Sequence, residues 1–143
     1  MSEDPYRLQR FVDAQANGVH PRALQELRAG HKSSHWVWFV LPQVAGLGSS
    51  PTAQHYAIGS LEKARAYVDH PVLGPRLVEC ARAVLAHPDL SARQIMGSPD
   101  DVKLRSSMTL FAIAADSEPV FQQVLDTFFA GERDPHTEDF LGA

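Results

Sequence analysis

The chain is poor in cysteine, in long hydrophobic runs and in surplus positive charge, and each shortage excludes something. Cys80 is the one cysteine in 143 residues, so an internal disulfide and a cysteine-only zinc site are both ruled out. The longest apolar run, Trp36 to Pro42, has the length of a strand and falls far short of a membrane span. Lys and Arg number 13 against 17 Asp and Glu, a formal charge of −4. That balance speaks against a general nucleic-acid binder and leaves room only for a local basic patch. The segment Met1 to Arg7 carries charge at once and has no apolar core, so no signal peptide is expected and a reducing cytoplasm is the expected setting.

Familiar catalytic signatures are missing as well. Gly46-Leu47-Gly48-Ser49-Ser50 reads as a turn, not as a phosphate-cradling loop, and no Gly-x-Ser-x-Gly elbow occurs. His31 and His35 are four apart, a metal-capable helical spacing, yet no carboxylate or cysteine nearby in sequence completes a site, so neither a metal nor a cofactor is expected. Cys80 falls on an apolar helix face and should be inert.

What is present is 44% hydrophobic residues with 21% charged, enough for a packed core. Helix punctuation recurs along the chain. Asp4-Pro5, Ser50-Pro51, Ser60, Gly74-Pro75, Ser91 with Gln94, Ser98-Pro99 and Ser117-Glu118-Pro119 all read as helix starts; Asn17-Gly18, Gly30 and Gly131 read as stops. Apolar residues repeat at helical spacing, as in Leu104, Met108, Phe111 and Ala115, whereas period-two alternation never lasts more than a few residues. The expected fold is all-α: one compact domain over 1–143, a bundle of roughly six to eight short helices, with a short tail after Gly131.

Polar and aromatic residues concentrate in three segments. The first, from His31 to Gln43, holds Lys32, His35 and both tryptophans, Trp36 and Trp38. Two residues apart on an extended piece, the tryptophans would share a face able to stack a base, and Lys32 could hold a phosphate. They fit a core role with Lys32 as a solvated flank equally well. The second segment, Gln54-His55-Tyr56, offers neutral polar groups and an aromatic plane, or simply an amphipathic helix. In the third, Asp101 and Arg105 have i,i+4 ion-pair spacing, and Lys103, Ser106, Ser107 and Thr109 make the helix too polar for plain solubility. Acids compensating the helix dipole are the simpler account of Asp100 and Asp101.

These segments, with Asp4-Pro5-Tyr6-Arg7-Leu8, His70-Pro71-Val72-Leu73-Gly74-Pro75-Arg76-Leu77 and Gly97-Ser98-Pro99 leading into Asp100 to Phe111, resemble a bacterial domain family of uncharacterised function that sometimes carries the label calpastatin. That label does not suit this chain, because calpain inhibitors are disordered. The family is similar to the all-α YbiA-like superfamily, whose NADAR branch is associated with NAD and ADP-ribose metabolism and with cleavage of N-glycosidic bonds. The NADAR hallmark Glu-His-Tyr-Phe-Gln is matched here at His55 and Tyr56, and the stretch from Met108 to Leu125-Asp126-Thr127 is similar more weakly. Gln54 stands where the hallmark has glutamate.

The resemblance implies a pocket for a phosphorylated ribosyl or nucleotide-like molecule, lined by Lys32, His35, Trp36, Trp38, Gln54, His55, Tyr56, Lys103, Arg105 and Ser106. It implies cleavage only if some carboxylate replaces the hallmark glutamate, since glycosidic hydrolysis needs one and Gln54 cannot ionise. With Glu62, Glu79 and Glu118 assigned to exposed faces or caps, elimination leaves Asp101 as the candidate catalytic group of an N-glycosidase. The alternative is a non-catalytic ligand-sensing or protein-interaction module. No membrane or bulk nucleic-acid partner is expected.

Overall fold

Helix α8, Asp100–Ala114, is the axis about which the chain packs. Its buried residues run almost without interruption from Leu104 to Ala114, because α5 (Leu61–Asp69), α7 (Ala92–Met96), α9 (Val120–Phe128) and α10 (Pro135–Leu141) all pack against it. A helix enclosed on several sides cannot reserve one face for solvent, which accounts for polar residues in buried positions. Thr109 Oγ1 donates back to the Arg105 carbonyl at 2.8 Å, and Ser106 Oγ to that of Val102 at 3.3 Å. Such back-bonding satisfies a hydroxyl inside a helix without any ligand. Much of the polar density that the sequence suggested was site-forming is therefore internal to the helix.

This computed structural model describes residues 4–47 and 50–142; Met1 to Glu3 and the expected turn residues Gly48 and Ser49 lie outside them. Among the described residues there are ten helices and no strand, only an isolated parallel bridge between Val44 and Ile58. The remaining helices are α1 (Gln9–Ala14), α2 (Val19–Arg28), α3 (Val37–Val40), α4 (Pro51–His55) and α6 (Leu73–Leu85). Helix α6 is the second hub, touching α2, α5 and α9. The core joins Phe11, Tyr67, Phe111 and Phe121, whose rings meet in sequence at centroid distances of 5.1, 5.4 and 5.8 Å, favourable tilted and edge-on aromatic geometry. The all-α expectation holds, with more and shorter helices than the six to eight anticipated.

Locally encoded caps appear where the sequence placed them. Ser50, Ser60 and Ser91 accept from the backbone of Ala53, Lys63 and Gln94, and Gln94 completes a capping box at Ser91. Three expectations change. Asp4 is not the N-cap residue of α1: Leu8 holds that position, and the Asp4 carboxylate accepts from the N–H groups of Leu8 and Gln9 at 2.7 and 2.8 Å, so α1 starts four residues later than Pro5. Ser98 contributes no cap; the peptide to Pro99 is cis, and Pro99 holds the N-cap position of α8. The expected tail is α10, capped by Asp134, whose Oδ2 accepts from the N–H and hydroxyl of Thr137. Cys80 is fully buried, and burial pushes its thiol up to about 12. No described helix is long and apolar enough to cross a membrane.

Candidate functional site

A cavity of about 480 Å³ opens between α3, α4 and the start of α8. That volume lies within the ordinary range of small-molecule sites. Trp38 of α3 forms one wall. Tyr56, Ala53 and Ala57, in and just after α4, form the second. Val102, Lys103 and Ser106 of α8, with Pro99 before it, form the third. Gln43, Val44 and Leu47 close the floor from the connecting loop. That loop is pinned to the chain after α4, where Ala45 donates to the Ile58 carbonyl at 3.0 Å and Ile58 to that of Gln43 at 2.8 Å. The three segments singled out in the sequence do meet, each contributing some of its residues.

Lys103 and Trp38 form the chemically distinctive edge. The Lys103 ammonium lies 4.9 Å from the Trp38 ring centroid and 3.3 Å from Asp100 Oδ1. Asp100 Oδ2 is also held by Lys32, at 2.7 Å. Two ammoniums thus share one carboxylate, which leaves one positive charge over at the cavity edge. The second lysine is nearly inaccessible: its side chain is 5% exposed, and its ammonium also donates to the Ser34 carbonyl at 2.5 Å and lies 5.1 Å from the Trp36 ring. Lys32 therefore ties the 31–36 segment to α8, and Lys103 is the cation that faces the cavity.

The two tryptophans do not share a face. Residues 37–40 are helical, not extended, and a two-residue step on a helix turns side chains about 200° apart. Trp36 is buried, and its indole N–H donates to Glu26 Oε1 at 3.0 Å; Trp38 lines the cavity. Glu26, which sequence reasoning did not single out, organises this segment. It also accepts from the Ser33 and Ser34 backbones at 2.8 and 2.9 Å and from the Ser34 hydroxyl at 2.6 Å. Burial alone would raise its pKa, but these donors overcome that and hold the carboxyl at about 2. The readable signal was its position in α2 between Leu24 and Leu27, on the face that turns inward.

Of the residues expected to line the pocket, Trp38, Tyr56, Lys103 and Ser106 do so. Lys32 and Trp36 lie behind the wall, and His35, Gln54 and His55 are exposed. The His55 ring edges onto Tyr56 at 4.6 Å. Arg105 points elsewhere: its guanidinium donates to the carbonyls of Glu132 and Arg133, at 3.0 and 2.8 Å, bracing the turn before α10. The anticipated Asp101–Arg105 ion pair is replaced by these contacts. Asp101 is not on the cavity wall, and its Oδ1 is buried without a hydrogen-bond partner. The carboxylate that the cavity-lining Lys103 contacts is Asp100, not Asp101. Among the described residues, no group of three His, Cys, Asp or Glu side chains could hold a metal ion.

A search of curated proteins returned no match. Among solved structures, the chain is similar to the conserved hypothetical protein Rv1873 from Mycobacterium tuberculosis, with 50% identity, a TM-score of 0.95 and coverage of 98% of this chain and 99% of that one. The family model described as "Protein of unknown function (DUF1810)" matches residues 5–141, which takes in every helix and every wall of the cavity, and the chain belongs to that family.

Proposed function

We propose that the cavity binds a phosphorylated ribosyl or nucleotide-like small molecule of the ADP-ribose and NAD class, in the cytoplasm. A ring of the ligand stacks on Trp38 and its phosphate pairs with Lys103. One observation carries the reading: the Lys103 ammonium lies over the ring of the half-buried, cavity-lining Trp38, 4.9 Å from its centroid, and shares Asp100 with Lys32. A phosphate there would meet an ammonium whose charge is incompletely neutralised, and a flat ring would meet an aromatic surface. Tyr56 supplies a second aromatic plane, and its place in Gln54-His55-Tyr56 supports a ribosyl ligand through the resemblance to the NADAR hallmark.

Binding without cleavage is the better-supported form of the proposal. No carboxylate lines the cavity among the described residues, and Asp100 beside it is held by two lysines. Calorimetry with ADP-ribose, NAD and riboflavin-pathway intermediates tests the reading. At least one should bind at or below millimolar concentration and raise the Tm, and Lys103→Ala should weaken that ligand roughly tenfold or more through loss of a charge-assisted contact. Silence from the whole panel would sink the reading and favour a protein-interaction module.

A second reading, N-glycosidase activity through Asp101, draws on the buried and unpartnered Oδ1 of that residue. Asp101 lies about 100° around α8 from the cavity-lining Val102, so a substrate would have to reach it by a route other than the cavity. Should any panel ligand be hydrolysed, Asp101→Asn is expected to abolish turnover under this reading. Turnover at the wild-type rate would remove Asp101 from the chemistry.

A further inference from the structure

We infer that Lys32, although it is not on the cavity wall, is the residue that makes the cavity select anions: its buried ammonium acts through Asp100 on Lys103 and leaves the cluster one positive charge over. The inference deepens the proposed function and rests on its use of Lys103 as the group that meets an anion. Lys32 is a positioning residue, which sets specificity without touching the ligand.

The two lysines have separate roles. Lys103 is the accessible one: its side chain is 27% exposed, it lines the cavity, and its ammonium lies 4.9 Å from the Trp38 ring centroid. It also pairs with Asp100 Oδ1 at 3.3 Å, one turn back on the same helix. Those two groups alone are neutral together, and an anion arriving at Trp38 would compete with Asp100 for a single ammonium. Lys32 changes that balance. Its ammonium holds Asp100 Oδ2 at 2.7 Å, a shorter contact than that of Lys103, and so draws the carboxylate's charge away from the cavity side. No carboxylate lines the cavity among the described residues to cancel the surplus.

A role as a mere tie does not account for Lys32. Its side chain is 5% exposed, and taking an ammonium out of water is costly, so lysine is rarely buried unless paired. The segment it belongs to is fastened without that ammonium. The Lys32 backbone N–H donates to the Ile95 carbonyl at 2.7 Å, and Glu26 accepts from Ser33, Ser34 and Trp36. Asp100 has a partner in Lys103 and needs no second cation. An apolar side chain of the same length would pack on Trp36, whose ring centroid lies 5.1 Å from the ammonium, but it would bring no charge. The Ser34 carbonyl and the Trp36 ring offset the desolvation and fix the ammonium behind the wall, out of reach of a ligand.

Quenching of tryptophan fluorescence by iodide, an anion, and by acrylamide, a neutral probe, tests this on the full chain at constant ionic strength. Trp36 is 1% exposed and Trp38 half-buried, so the quenched emission is that of Trp38. The ratio of the iodide to the acrylamide quenching constant reads the local charge. Lys32→Met, which fills a similar length without charge, should lower that ratio roughly twofold, the scale of one partly screened charge. Lys32→Gln, which keeps a polar tip for Asp100, should act in the same direction. The double variant Lys32→Met/Asp100→Asn removes both charges, leaves Lys103 with its own, and should restore the wild-type ratio. The inference is overturned by an unchanged ratio in folded Lys32→Met or Lys32→Gln, or by a folded double variant whose ratio stays low. A parallel rise of both constants would overturn it too, since Lys32 would then only hold the wall in place. No nucleotide enters the measurement, so silence of the ligand panel and failure of this inference are told apart.

Discussion

Glu26→Gln should destabilise the fold by about 3 kcal/mol and at the same time free the segment that holds Lys32. Three kinds of donor converge on this carboxylate: two backbone N–H groups, the Ser34 hydroxyl and the buried Trp36 indole. Gln retains one acceptor oxygen but turns an NH₂ group toward donors, so at least one buried N–H goes unpaired, and the charge that strengthened every contact is gone. A lost charge-assisted bond and an unpaired buried donor are each worth roughly 1–3 kcal/mol. The sign of the pH dependence follows from the same geometry. The folded pKa of about 2 lies below the ordinary 4.5, so the stabilisation is complete above pH 4.5 and is lost as pH falls through about 2. Discounted for solvent near the Arg22 side, it amounts to roughly 2 kcal/mol. Urea titrations at pH 7, 4 and 3 check both points. The wild type should lose stability steeply across that range, and Glu26→Gln should start lower and fall less. Equal pH slopes for the two proteins would show that Glu26 does not carry this ionisation.

Gly74→Ala is the other severe substitution, and its cause is contact with backbone. A Cβ built at Gly74 would lie 1.9 Å from the Val68 carbonyl oxygen and 2.9 Å from its carbon. The last turn of α5 crosses the first turn of α6 there, and a methyl group cannot be accommodated by a side-chain rotation. Either α6 shifts away from α5 or the turn between them unravels. Each outcome disrupts packing around Tyr67, Leu73 and Leu77, all fully buried. The expected loss is roughly 4 kcal/mol, in the range that diagnoses a specific steric failure, equivalent to a Tm lower by about 10 °C for a chain of this size. Gly59→Ala is the matched control. Nothing lies within 4 Å of its added carbon, and a change within about 0.5 kcal/mol is expected. Calorimetric melting of both variants decides the matter; near-identical curves for Gly74→Ala and wild type would mean the helices do not approach this closely.

By itself, the sequence determined the helical class and much of its punctuation. Ser50, Ser60 and Ser91 each bond a backbone N–H three residues on, and such short-range chemistry is fully present in a local window. The burial of Cys80 followed from helical periodicity in the same way. Even the gathering of three segments around a cavity was legible, because polar and aromatic residues clustered where other helices were plainly amphipathic. The roles within those segments were not legible. Lys32 and Asp100 pair across nearly half the length of the chain, Arg105 directs its donors to Glu132 and Arg133, and Gly74 is needed because the Val68 carbonyl lies against it. For Lys32 and Arg105 the deciding partner is brought close only by the packing of another element, and for Gly74 by the tightness of the turn between α5 and α6, so composition and spacing do not disclose it. Trp36 and Trp38 show the same division: their aromatic weight was visible in the sequence, but whether they share a face depended on residues 37–40 coiling into a helix, and the buried Glu26 then drew one indole inward and left the other facing the cavity.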